Sequence, residues 1–269
     1  VRRRGRACGA ELADAEHERC RERREAGEES PEEEETAGRI EIGRAEAIAL
    51  SVAAGVASRV RVGVVAASPV DVRQAGAELL DEQRRAAALA IERYGSGGPS
   101  SSEALRPARE LYRAFGIDPT RTRPSSEALL RRVLKGEPLP RINSAVDVCN
   151  VLSLSFLLPI GLYDAGTIEG PVELRAGGEG ESYVGIGKPE VHLAGRPVLA
   201  DCRGAFGNPT SDSARTSVGT ATTSLWMVVF GPASLPRAAM ARHVEAARTA
   251  IELHVSAVGH PAVTTGETC

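Results

Sequence analysis

Aromatic side chains are nearly absent: one Trp, four Tyr and four Phe in 269 residues, 3% of the chain. Any core must therefore be built mainly from Ala, Val, Leu and Ile, and each ring that is present carries unusual weight. Cysteine is sparse too. Cys8, Cys20, Cys149, Cys202 and Cys269 are odd in number, widely spaced and never in C-x-x-C register, which argues against a disulfide framework or zinc site and for a reducing compartment. The five histidines lie too far apart for a helical metal motif, and His254 and His260 read as surface residues. No metal and no cofactor is expected. No window reaches the ~18 uninterrupted apolar residues of a membrane helix. The opening "VRRRGRACGA" is followed by no apolar stretch, so neither a membrane span nor a signal peptide is expected and the default is a soluble cytoplasmic protein. A net charge of −3, with pI near 6.1, gives no global positive field for nucleic acid. Lysine is almost missing, with Lys135 and Lys188 alone among many arginines, and compositional bias explains that more simply than phosphate recognition does. There is no G-x-S-x-G elbow for a serine esterase and no G-x-x-x-x-G-K-[ST] phosphate loop. "GGEGES" reads as a β-turn.

What is present divides the chain. Residues 1–37 alternate Arg-rich and Glu-rich runs and cannot bury enough apolar surface to order themselves, so a disordered or solvated segment is expected. Residues 38–258 read as one α+β domain and 259–269 as a flexible tail. Within the domain, "RAEAIALSVAAGVAS" predicts an Ala-rich helix and "RVRVGVVAAS" a buried strand. "DVRQAGAELLDEQRRAAALAIERYG" predicts a helix stopping at Gly95. Two shorter helices follow, the second opened by Pro124 with Ser125 or Ser126 as N-cap and Glu127 in its first turn. "PVELRAG", "ESYVGIG", "RPVLADCRG" and "SLWMVVFGP" read as strands, and a last helix begins near Leu235 or Pro236.

The apolar stretch "RINSAVDVCNVLSLSFLLPIGLYDAG" carries the densest information. Asn143, Val146, Asn150 and Leu154 recur at three- and four-residue steps, the signature of a helix with one polar edge. Asp147 falls on the same edge. Buried amides and carboxylates need partners, so these residues either pin neighbouring loops or line a cavity.

"LPRINSAVDVCNVLSLSFLLPIGLYDAGTIEG" resembles the I-N-x-x-V-D-x-x-N...P-x-x-x-[FY]-D stretch of the B3/B4 domain, the tRNA-editing module of the phenylalanyl-tRNA synthetase beta subunit. The likeness continues through "GGEGESYVGIGKPEVHLAGRPVLADCRG" to "SARTSVGTATTSLWMVVF", and "RTRPSSEALLRRVLKGEPLPRIN" is closer still to freestanding proteins made of this domain alone. It spans about residues 60 to 255. The resemblance implies an α+β fold on a largely antiparallel sheet flanked by helices, aminoacylated tRNA as partner, and hydrolysis of wrongly attached amino acids. Such hydrolysis needs a positioned water and oxyanion donors. On this likeness the catalytic candidates are Arg215, Thr216 and Asn143. The substrate-binding candidates are Asp147, Asn150, Tyr163, Asp164, Asp201, Asp212 and Ser213, with Thr220 and Thr223 nearby. Departures are clear: the synthetase's P-[LM]-H-A-F-D run is "PIGLYD" here, and its Gly-Gly-Glu-Glu run is replaced by "NPTSDSARTS". Its imidazole, its acidic groups and its amino-acid specificity do not carry over, and a complete ligase is not expected. The rival reading is a non-catalytic RNA-binding module that keeps the fold.

Overall fold

The computed structural model describes residues 39–40, 49–96, 103–255 and 262–267. Residues 1–37, expected to be disordered, lie outside them. In chain order the elements are β1 (Arg39–Ile40), β2 (Leu50–Val52), α1 (Ala54–Ala57), β3 (Val60–Ser68), α2 (Ala77–Tyr94), α3 (Arg106–Ala114), α4 (Ser125–Leu134) and α5 (Ser144–Phe156). Then come β4 (Ile160–Asp164), β5 (Val172–Ala176), β6 (Ser182–Gly185), β7 (Lys188–His192), β8 (Pro197–Asp201), β9 (Gly204–Gly207), β10 (Leu225–Pro232), α6 (Arg237–His254) and β11 (Ala262–Glu267). This is an α+β architecture. No described helix is long and apolar enough to cross a membrane.

A four-stranded sheet of order β11-β3-β10-β4, antiparallel throughout, forms the middle layer. Every residue of β10 is buried, because both faces of the sheet are covered and alternate side chains point to opposite faces. Leu225, Met227 and Val229 enter the cluster beneath α2, α4, α5 and α6, while Trp226, Val228 and Phe230 enter the cluster beneath the second sheet. That sheet, β1-β2-β5-β8-β9, contributes Leu50, Val52, Val172, Leu174, Leu199 and Phe206, with Leu111 and Tyr112 of α3 beside them. On α6, Met240, Val244, Ala247 and Ile251 are buried at helical spacing. β6 and β7 form a separate hairpin. Ala262–Glu267, inside the stretch expected as a tail, pairs with β3.

Four local expectations are corrected. The Ala-rich helix expected over 44–58 is, where described, β2 followed by the one-turn α1. Leu50 and Val52 alternate with Ser51, and parallel pairing with β5 overrides alanine's helical preference. Pro124, not a serine, holds the N-cap position of α4, and Ser126 Oγ is buried without a partner among the described residues. His254 is not a surface residue: its side chain is 6% exposed, with Nε2 2.8 Å from Glu82 Oε2. Cys202 is disulfide-bonded, where reduced thiols were expected.

Candidate functional site

The chain between β9 and β10, residues Asn208 to Ser224, has no strand and one short turn of 3₁₀ helix, Ala214–Thr216. Side chains from five elements hold it down. Asn208 Oδ1 accepts from the amides of Thr210 (2.7 Å) and Ser211 (3.0 Å), the self-bonding turn that Asn favours. Its Nδ2 donates to Tyr183 Oη on β6 at 2.6 Å, and that hydroxyl donates to Ser211 O. From α3, Tyr112 Oη donates to Pro209 O at 2.8 Å. Ser213 N–H donates to Phe206 O at 2.8 Å, and Ser213 Oγ accepts from Arg215 N at 3.2 Å, starting the 3₁₀ turn. Three of the four tyrosines of this ring-poor chain thus meet at one loop, counting Tyr163 below.

Asp212 sits at the centre. Its Oδ1 accepts from Tyr163 Oη of β4 at 2.8 Å, and backbone groups of Leu162 and Asn208 also bond the carboxylate. No cation is among the influences on it. Burial therefore dominates and pushes its pKa up to about 7, with the hydrogen bonds pulling only partly back. The Cys149 thiol on α5 faces the same carboxylate and is itself raised to about 12, by burial first and by Asp212 second. Tyr163 is fully buried, and its phenol lies between Gly161 and Gly207, where an ideal Cβ at either position would overlap the ring.

Arg215 is engaged within the fold through both of its terminal nitrogens. Its guanidinium makes a two-pronged pair with Asp201 of β8 (Nη1–Oδ2 3.0 Å, Nη2–Oδ1 2.9 Å) and donates to Thr167 O at 3.0 Å. Asp201, whose side chain has no exposure, also accepts from the amides of Glu169 and Arg203, both at 2.9 Å. This is a strut between β8 and the loop. Thr216, next in sequence, is different: it is fully buried and its hydroxyl has no partner among the described residues.

The remaining candidates divide. Asn143 caps α5, accepting from Val146 N at 2.9 Å, and its Nδ2 donates to Val218 O of the loop at 3.4 Å. Asp164, at the end of β4, accepts from Thr222 Oγ1 at 2.7 Å. Asn143, Tyr163, Asp164, Asp201, Asp212, Ser213, Arg215 and Thr216 therefore all lie in or against one loop. Asp147 turns away toward Gln83 of α2, accepting from Ile142 N at 2.9 Å, and burial raises its pKa. Asn150 faces α4. Thr220 and Thr223 are exposed on the loop. Tyr112, Tyr183, Asn208 and Thr222 were not singled out from sequence, although the rarity of tyrosine is a signal that points to the first two. Among the described residues no group of three His, Cys, Asp or Glu is placed to hold a metal ion.

A family model described as the B3/4 domain matches residues 107–251, which contains the whole of this loop and the strands and helices that peg it. No curated protein matches the chain. Among solved structures, an N-terminal fragment of the phenylalanyl-tRNA synthetase beta subunit from Pyrococcus horikoshii is similar at 20% identity and a TM-score of 0.36. The match covers 42% of this chain and 41% of that fragment, so the chain spans less than half of it.

Proposed function

The chain belongs to the B3/4 domain family through residues 107–251, and from that premise we propose that it hydrolyses the ester of wrongly charged aminoacyl-tRNA. The observation that carries this reading is Asp212, a desolvated carboxylate raised to about 7 and oriented by the Tyr163 hydroxyl. A base of that strength works best near neutral pH. Asp212 as a residue keeps part of its surface open, and under this reading water enters from that side. In the proposed step, Asp212 takes a proton from water as its oxygen attacks the ester carbonyl. The acyl C–O bond then breaks, the proton passes to the leaving ribose hydroxyl, and the amino acid departs with a free carboxyl group. Thr216 Oγ1, unpartnered in the resting fold, orients the water or donates to the oxyanion. Asn143 and Arg215 act by position: one ties α5 to the loop, the other ties β8 to it. Under this reading the partner is tRNA and the place of action the cytoplasm.

The test is ester loss from a panel of mischarged tRNAs. Wild-type protein is expected to hydrolyse at least one, with a rate that climbs as pH rises through about 7 and then levels. Asp212→Asn is expected to slow it by roughly 10²–10⁴ while uncharged tRNA binds as before. One observation favours the rival, a non-catalytic RNA-binding module. Asn143, Asp164, Asp201 and Arg215 all have intramolecular partners, which suits a loop kept for shape alone. That rival predicts no hydrolysis above the spontaneous rate for any amino acid, and wild-type protein inert on the whole panel establishes it.

A further inference from the structure

Away from the loop, α4 and α5 enclose a groove of about 480 Å³ lined by Arg123, Ser125, Ala128, Leu129, Arg131, Arg132, Lys135, Glu137 and Asn150. Its origin is local. Ser125, Ala128, Leu129 and Arg132 follow one another at helical spacing on one stripe of α4, and the small side chains at 125 and 128 leave the trough open. Its walls are cationic. Four basic residues line it, Arg123, Arg131, Arg132 and Lys135, against one acid, Glu137, in a chain whose net charge is −3. Neither Glu137 nor the nearby Glu127 offsets this. Glu127 holds Arg131 at 2.9 Å and reaches Arg123 only at 3.8 Å, so one carboxylate faces two of the groove's cations. Glu137 matches Arg132 at 3.1 Å. Lys135 makes no ion pair among the described residues, and the half-buried amide of Asn150 has no hydrogen-bond partner among them.

We propose that this groove seats the phosphodiester backbone of the RNA, separately from the loop that acts on the ester; the identity of the polyanion rests on the tRNA reading above. The helix Ser125–Leu134 has ten residues with Lys135 as its C-cap, a reach of roughly 15 Å. The positive charges therefore form a row, which suits consecutive phosphates better than a single ion. Guanidiniums grip phosphate oxygens in pairs, Lys135 adds a mobile point charge, and the Asn150 amide offers both a donor and an acceptor to a ribose hydroxyl. The remaining basic residues do not make the protein a general polyanion binder, because its acidic residues outnumber them.

The test is equilibrium binding of uncharged tRNA across a salt series, with ester hydrolysis measured separately. Arg123→Gln combined with Lys135→Gln removes two exposed charges without stripping Glu127 of its 2.9 Å partner Arg131. It is expected to weaken binding several-fold and to make the log-affinity against log-salt slope shallower by about two. Asn150→Ala is expected to weaken binding while leaving the slope unchanged. A thermal melt of each variant confirms that the fold is intact. Wild-type affinity and slope in the double variant overturn the proposal. So does a poly-glutamate peptide that binds the wild type more tightly than tRNA does and is lost in the double variant, because the groove then serves an acidic protein. A wild type that binds tRNA through this groove yet hydrolyses no ester leaves the groove standing and removes only the deacylase reading.

Discussion

Glu127, at the start of α4, and Asp212, in the loop before β10, are both carboxylates withdrawn from water, and they are driven in opposite directions. Burial pushes both up, yet hydrogen bonds from Arg109 and Arg131 outweigh it at Glu127 and hold that group below the usual range. Asp212 has a tyrosine hydroxyl and backbone groups but no arginine, so burial prevails and it settles at about 7. Two things therefore separate the structural carboxylate from the chemically poised one: Asp212 is the more strongly desolvated, and no cation offsets that. The same contrast holds for hydroxyls. Ser213 is tied to its own turn, whereas Thr216, three residues on and equally enclosed, holds its hydroxyl in reserve.

Removing the acid from the arginine-rich region breaks the comparison most severely. Glu127→Ala leaves Arg109 and Arg131 facing each other without their shared partner, and is expected to cost about 3–5 kcal/mol, read from denaturant midpoints. A loss under 1 kcal/mol would show that the cations there are already solvated. The second expectation concerns pH and opposite signs. Asp212 has a folded-state pKa of about 7 against an ordinary 3.8. Between those values the folded protein keeps a proton that the unfolded chain has released. Asp212 therefore lowers stability as pH rises across that window, by at most roughly 1.4 kcal/mol per unit, and adds no slope above it. Glu127, depressed, does the reverse: its contribution disappears as pH falls through its folded-state pKa. Melting temperature against pH in Asp212→Asn should lose the downward limb from pH 4 to 7 and keep the acid limb. The smallest effect on stability belongs to Thr216→Val. Deleting a hydroxyl that has no partner should shift stability by less than about 1 kcal/mol, in either direction. Hydrolysis should nevertheless fall by about 10²–10³ if that oxygen meets the transition state. Equal losses in both would make Thr216 a packing residue.

Much of the frame was legible because two-sided burial leaves a plain mark. The run over Leu225–Phe230 is apolar at every position, and the stripe over Met240–Ile251 is apolar at helical spacing. The N-terminal strand Leu50–Val52 was not legible, since its three residues sit in an alanine-rich stretch and are extended only because β5 lies alongside, 122 positions later in the register. Polar spacing put Asn143, Asp147 and Asn150 on one helix edge, and the structure sends them to three neighbours: the loop, α2 and α4. Periodicity reports which side of a helix a residue is on, but a helix packed on several elements has more surroundings than sides. The gathering of Tyr112, Tyr163 and Tyr183 at one loop depends on three distant strands and helices, and no local pattern encodes it.

The two glycines that flank the Tyr163 phenol have a consequence for how this sequence can change. Gly161 and Gly207 come from different strands, and each gives up its side-chain volume to the same ring. A methyl group added at either position would meet ring carbons as well as the hydroxyl, so the ring itself would have to move. Moving the ring strains the 2.8 Å bond that aims the Tyr163 hydroxyl at Asp212. Gly161→Ala or Gly207→Ala, chemically silent in itself, would therefore reach the Asp212 carboxylate from a distance, through a neighbour that neither residue replaces.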